Sequence, residues 1–181
     1  MTVVAPHFDM LASPIPTKAE LLERTQRLSQ AAAQHCPPGL PVAGVGHSIG
    51  TVALLLLAGA EADTFAGDQV KAEAMTARPS MDRLVLLAPP ADFFRRTGSL
   101  APINQPLQVW AGGKDTITPP AQAEFLRHAV KASTPVDVRV VEDAGHFTFM
   151  DELPPHVTDP HPDRKAFLQS LGEEVCRFLA V

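Results

Sequence analysis

Cysteine is scarce in this chain: only Cys36 and Cys176 occur among its 181 residues. They lie far apart, form no Cys-x-x-Cys pair, and read as free thiols of a reducing compartment, a single bridge being the other arrangement. Long apolar runs are missing as well. A bilayer span needs ~20 apolar residues, and the longest run here, around Val52 to Ala60, has the length of a buried helix. Basic charge is in deficit, with 15 Lys and Arg against 20 Asp and Glu and a net charge of -5. No basic stripe is left to follow a phosphate backbone, so no nucleic acid and no membrane is expected as a partner. Met1-Thr2-Val3-Val4-Ala5-Pro6 carries neither the basic region nor the long apolar core of a signal peptide. The expected location is the cytoplasm. Internal repeats and low-complexity linkers are absent too. What remains is an ordinary soluble composition, 45% apolar and 19% charged. It spreads over residues 1–181 as one domain, large enough to bury a core without staples.

Strand-like apolar runs alternate with helix-like segments along that domain, the pattern of a parallel sheet flanked by helices. Candidate strands are Thr2 to Pro6, Pro41 to Val45, Arg83 to Ala88, Leu107 to Ala111 and Val136 to Val141. Several are continuously apolar, as strands buried on both faces are. Thr17-Lys18-Ala19-Glu20 is a capping-box signature and predicts a helix through about Gln34. Thr118 before Pro119 starts another helix through Val130. A last helix spans about Pro162 to Leu179, with Phe167, Leu168, Leu171, Val175, Phe178 and Leu179 as its apolar stripe. The polar stretch Glu61 to Ser80 reads as a surface excursion with a short helix near Gln69 to Met75. The fold class is α/β, a mostly parallel sheet of about five strands flanked by helices.

The most informative stretch is Gly46-His47-Ser48-Ile49-Gly50, between the strand-like Leu40 to Val45 and the apolar, helix-like Thr51 to Leu57. Gly-x-Ser-x-Gly between strand and helix is a nucleophile elbow, a sharp turn whose flanking glycines admit close packing around a strained serine. A serine hydroxyl attacks only when a neighbouring base takes its proton, and that base needs an acid to hold its tautomer. Asp115 follows the apolar run Leu107 to Ala111 and a Gly-Gly turn, and His146 follows the last predicted strand in Ala144-Gly145-His146-Phe147. Serine, acid and histidine thus stand at the carboxyl ends of three separate strands, the edge where open α/β sheets place ligands. His47, beside the nucleophile, reads as structural. His156, Asp159, His161 and Asp163 sit among Pro154, Pro155, Pro160 and Pro162 and read as a rigid polar loop, not a metal site.

These residues resemble the three catalytic blocks of the α/β-hydrolase superfamily. The blocks are Gly-His-Ser-x-Gly at 46–50, Gly-Gly-Lys-Asp-x-x-x-Pro-Pro at 112–120 and Ala-Gly-His-Phe at 144–147. The likeness covers roughly residues 40 to 181. Gly145 to Met150 is similar, more loosely, to the dienelactone-hydrolase-like esterases. The resemblance implies Ser48 as nucleophile, His146 as general base and then acid, and Asp115 as the orienting acid. It implies no metal and no cofactor. The substrate it implies is a small or medium carboxylic ester or lactone, held without a cap domain because the Ala88 to Leu107 link is short.

The resemblance also assigns one oxyanion donor to the N–H of Ile49, the residue after the nucleophile. A second donor comes, in the superfamily, from the loop after the third strand, often marked by His-Gly. No His-Gly lies near the N-terminus, so His7 or Phe8 of Pro6-His7-Phe8-Asp9 is the candidate. Phe8, Met10, Phe93 and Phe147, all just past predicted strands, are candidates for an apolar acyl pocket. Only one strand and one helix precede the elbow strand, fewer than the superfamily provides. Right-handed crossovers in one direction put the intervening helices on one face, leaving only the last helix for the other. Two arrangements follow: a minimal hydrolase that forms a homodimer over the bare face, or an N-terminally shortened form of the fold. The same triad serves a thioesterase or acyltransferase, and an incomplete oxyanion hole suits a non-catalytic binding or scaffold relative. Dehalogenases and epoxide hydrolases are disfavoured, because they carry Asp where Ser48 stands.

Overall fold

A threonine hydroxyl opens the first regular element. In the computed structural model, which describes residues 2–9, 11–37, 39–72 and 80–180, Thr17 caps helix α1 (Lys18–His35). Its Oγ1 accepts the Glu20 N–H, and the Glu20 carboxylate accepts the Thr17 N–H, so two otherwise unpaired donors of the first turn are satisfied. Strand β1 (Ala43–His47), helix α2 (Ile49–Leu57), a hairpin of β2 (Glu61–Asp63) and β3 (Gln69–Lys71), and strand β4 (Arg83–Leu87) follow. Strand β5 (Leu107–Gly112), helix α3 (Pro120–Ala129), strand β6 (Val136–Val141) and helix α4 (Arg164–Leu179) complete the order. Four strands form one parallel sheet in the order β1-β4-β5-β6. The link from β4 to β5 carries a 3-10 turn, Ala91–Phe94, and no cap domain. Among the described residues no helix is long and apolar enough to cross a membrane.

Alternation along β4 divides the core in two. Leu84 and Leu86 face one side, where Leu21 of α1, Leu55 of α2 and Leu126 of α3 join them in the main cluster. Val85 and Leu87 face the other side with Trp110, and there Leu171, Phe167 and Phe178 of α4 cover them. Helices α1, α2 and α3 thus share one face and α4 holds the other, as the crossover rule requires. The cover of α4 stops short of β1. Val45 remains 50% exposed although its register partner Val85 is fully buried.

Three segments depart from the sequence-based expectations. Thr2 to Pro6 form no strand, so among the described residues the sheet has four strands, with β1 and β6 at its two edges. The segment lies along α1 instead: Arg27 donates to the His7 carbonyl, and the Arg24 guanidinium stands 5.2 Å over the Phe8 ring. Arg27 also pairs with Asp9, so polar contacts to a helix replace a ladder for a run of few apolar residues. Gln69 to Lys71 is strand β3, not the start of a helix, because Val70 alone points inward against the buried Ala62 of β2. A turn closed by Thr64 N–H to Asp68 O, with Gly67 at φ +88°, joins the pair. The rest of that expected helix, 73–75, lies outside the described residues. The last helix starts at Arg164, where the Asp163 side chain caps the Ala166 N–H.

Candidate active site

The end of β1 is where strain enters the backbone. Ser48 has φ +50° and ψ -124°, a region that L-residues avoid at a cost on the order of 1–3 kcal/mol. The ladder holds it there: Ser48 N–H donates to Leu87 O of β4, and the Thr51 N–H and hydroxyl both donate to Ser48 O. Gly46 has a steric reason to lack a side chain. A Cβ there would lie 2.8 Å from Leu54 Cδ1 and 2.9 Å from the Gly50 carbonyl carbon, so any larger residue forces β1 and α2 apart. Gly50, by contrast, faces open space. The expectation that both flanking glycines serve close packing therefore holds for Gly46 alone.

The Gly-Gly turn after β5 performs a different task. A Cβ on Gly112 would stand 2.4 Å from Ala144 O, and one on Gly113 2.5 Å from Glu142 O. Without side chains the two loops zip together through Gly113 N–H to Val141 O and Lys114 N–H to Ala144 O. This closeness puts Asp115 beside His146. His146 Nδ1 lies 2.8 Å from Asp115 Oδ2, and His146 Nε2 lies 2.9 Å from Ser48 Oγ. The carboxylate can only accept, so Nδ1 carries the proton and Nε2 is left free to take one from the serine.

Asp115 is heavily anchored. Its Oδ1 accepts the N–H groups of Ile117 and Thr118, both at 2.8 Å. Burial pushes its carboxyl upward, but hydrogen bonds from His146 and from the Thr118 N–H and hydroxyl together outweigh that and hold it below its usual value. Asp115 is thus the ionised partner in the site. In the sequence Thr118 stands only as a helix start. The helix begins at Pro120 with Pro119 as its cap residue, and the Thr118 hydroxyl turns back to Asp115 Oδ2 (2.7 Å), His146 Nδ1 (3.1 Å) and Ala88 O (3.2 Å). Ala88, at φ +47°, turns its carbonyl toward that hydroxyl at the end of β4. A threonine three residues after the acid was the available signal, an arrangement in which local side-chain to backbone bonds are common.

The loop bearing His146 is fastened from behind. Gly145 N–H donates to Thr148 Oγ1, and that hydroxyl donates to Asp159 Oδ1, which also accepts the His161 N–H. Arg164 donates to the carbonyls of Met150 and Asp151. The residues of the polar loop therefore have separate tasks: Asp159 anchors the histidine loop, Asp163 caps α4, and the His161 ring stacks 5.0 Å from Phe167. Among the described residues no group of three or more His, Cys, Asp and Glu is arranged to hold a metal ion.

The remaining site candidates are scattered. Ile49 is the first residue of α2, where N–H groups have no partner within the helix. His7 and Phe8 lie against α1, so neither lies on a strand beside β1 as an oxyanion donor was expected to. Phe93 is buried in the main core, edge-on to Phe65 at 5.1 Å. Met10 lies outside the described residues. Phe147 stands beside His146, ring edge-on to ring at 5.0 Å. Ile117, absent from the sequence-based list, is an exposed apolar residue two positions after Asp115. A cleft of about 300 Å³ between the N-terminal segment and α1 is lined by none of Ser48, Asp115 and His146.

This arrangement of elements is similar to that of solved hydrolases. A CIB-like hydrolase from Thermoplasma acidophilum aligns with a TM-score of 0.51 at 14% identity, over 88% of this chain and 59% of its own. Esterase 2 of Thermogutta terrifontis gives a TM-score of 0.53 at 16% identity, over 90% and 63%. Acyl-protein thioesterase 2 of Zea mays gives 0.51 at 14% identity, over 98% and 69%. The chain has the α/β-hydrolase fold, and it spans about three-fifths of the length of the first two neighbours. No family model and no curated protein matches it.

Proposed function

We propose that this chain, on its α/β-hydrolase fold, is a serine hydrolase that cleaves a small or medium carboxylic ester or lactone through an acyl-enzyme on Ser48. One observation carries the reading: the unbroken hydrogen-bonded line from Ser48 Oγ through His146 to Asp115. As Oγ attacks the acyl carbon, His146 Nε2 takes the serine proton and Asp115 stabilises the imidazolium that forms. His146 then hands the proton to the leaving oxygen as the ester C–O bond breaks. Water next attacks the acyl-enzyme carbon while giving a proton to His146 Nε2. Collapse returns that proton to Ser48 Oγ and releases the acid. Without a cap domain the site is open, and Phe147 and Ile117 offer apolar surface to an acyl chain.

The Ile49 N–H at the positive end of α2 is the donor for the oxyanion. A hole with one donor instead of two raises the barrier by about 3 kcal/mol, so turnover is expected to be slow. The outer position of β1 among the described residues favours a second reading, a non-catalytic relative with a binding or scaffold role. Thioesters are the alternative substrate for the same triad, one fold neighbour being an acyl-protein thioesterase. Two free thiols, Cys36 and Cys176, support a cytoplasmic location. If two copies pair, the half-exposed Val45 corner is the place, and a light-scattering mass of one chain removes that homodimer.

Incubation with a fluorophosphonate probe, followed by intact-mass measurement, separates the readings. One adduct is expected on the wild-type chain and none on Ser48→Ala. A wild type left unlabelled beside a labelled control hydrolase sinks the esterase reading, and an adduct on Ser48→Ala sinks the assignment of the nucleophile.

A further inference from the structure

His47 stands beside the triad but outside its proton path. It is the last residue of β1, next to Ser48 in the chain, and its Nε2 lies 2.8 Å from the carbonyl oxygen of His146. A carbonyl only accepts, so Nε2 carries a proton and donates. The same two chain segments are therefore joined twice. The His146 side chain reaches back to Ser48 Oγ, and the His47 side chain reaches forward to the His146 backbone. Together they close a ring in which the nucleophile and its base are fixed relative to each other.

We propose that His47 is a positioning residue for the general base, holding the His146 backbone at the distance from β1 that lets Nε2 meet Ser48 Oγ. This rests on the reading of Ser48 and His146 as nucleophile and base. The other fastenings of the loop come from elsewhere. Lys114 N–H holds Ala144 O from the β5 side, and Thr148 with Asp159 holds the Gly145 N–H from behind. Neither ties the loop to the strand that carries the nucleophile. His47 supplies that tie, and it grips the carbonyl of the histidine itself. Its ring is held by two aromatic neighbours, 5.0 Å from the His146 ring and 6.5 Å from the Phe149 ring. Burial lowers its basicity, which favours the neutral donor and avoids a second positive charge beside the imidazolium that His146 becomes. The chemistry of acyl transfer is sensitive to such placement, since a shift of about 1 Å in a reacting group costs on the order of 100-fold in rate.

Two polar variants test this. In His47→Gln the side-chain amide nitrogen sits near the position of Nε2 and keeps a donor for His146 O, whereas in His47→Asn the amide falls short of it. The saturating rate of fluorophosphonate labelling is the readout, with the half-saturating probe concentration and the thermal midpoint measured alongside. His47→Gln is expected to label within a few-fold of wild type. His47→Asn is expected to be slower by on the order of 10- to 100-fold, with half-saturation unchanged and a midpoint matching that of His47→Gln. Equal rates in the two variants, whether both fast or both slow, overturn the proposal. So does a rate difference that follows the thermal midpoint. A wild type that takes no label overturns the serine-hydrolase reading as well, so the two failures are told apart.

Discussion

The loops that follow β5 and β6 are locked to each other, while β1, one edge of the sheet, has no strand on its outer side among the described residues. The loops bearing Asp115 and His146 are zipped backbone to backbone, with Gly112 and Gly113 so close to the facing carbonyls that no side chain fits. Asp115 accepts four hydrogen bonds there and is buried. The strand that leads to Ser48 has β4 on one side and, among the described residues, no strand on the other. Its Val45 is half exposed, and the segment expected beside it lies along α1. Asp115 and His146 are therefore positioned by two interlocked loops, while Ser48 follows a strand with a described neighbour on one side only.

The largest effect that tests this contrast is on the closed side. Asp115→Asn removes the acceptor that fixes the His146 tautomer, and the labelling or ester-hydrolysis rate should fall on the order of 10³- to 10⁴-fold with little change in half-saturation. A fall of less than tenfold would mean that Thr118 alone can hold the ring.

Next in size is a pair of glycine substitutions. Gly112→Ala drives a methyl group into Ala144 O and should cost about 1–3 kcal/mol of stability in denaturant unfolding. Gly50→Ala meets nothing within 4 Å and should be neutral or stabilising by up to about 1 kcal/mol, since the helix gains an alanine. Equal costs in the two would break the distinction between packed and open glycines.

Acid provides the third test. The Asp115 carboxyl is held below its ordinary value of 3.8 in the folded chain. Its stabilisation is present above that value and is lost as the pH falls through the lowered one. Unfolding measured from pH 6 down to 3 should show wild type losing stability below about pH 4 that Asp115→Asn does not lose. Parallel curves would show that the carboxylate is no better solvated in the fold than outside it.

The smallest effect belongs to the open side. Val45→Lys should change stability by no more than about 0.5 kcal/mol, while Val85→Ala, one strand inward in the same register, should cost about 2 kcal/mol. A large loss in Val45→Lys, together with a change in the mass seen by light scattering, would show that the corner is covered in solution.

The legible elements and the missed ones differ in where their stabilisation comes from. Strands β4 and β5 stand in the sequence as nearly continuous apolar runs because each is covered on both faces, so the pattern and the environment agree, whereas the edge strand β6 intersperses Asp137 and Arg139 among its valines. The elbow, Asp115 and His146 are legible because each comes within a few residues of the end of a strand-like run. Thr2 to Pro6 shows the limit of that logic: a short apolar run needs a ladder partner to become a strand, and Arg24 and Arg27, distant in sequence, decided its place instead. Val70 is a single inward residue, too little periodicity to declare β3. Thr118, Asp159 and His47 were legible as residue types but not as partners, because their contacts span 28, 11 and 99 positions.

By itself the sequence determined the alternation of elements, the strained turn at Ser48 and the order of serine, acid and histidine. Those follow from local chemistry: apolar runs, glycines, capping side chains and the residues that come next in the chain. The tertiary structure alone decided that the three side chains meet, that Gly112 and Gly113 close the gap between two loops while Gly50 closes none, and that β1 forms one edge of the described sheet. Those outcomes depend on which distant surfaces come together, and close packing between segments far apart in the chain leaves no local pattern to read.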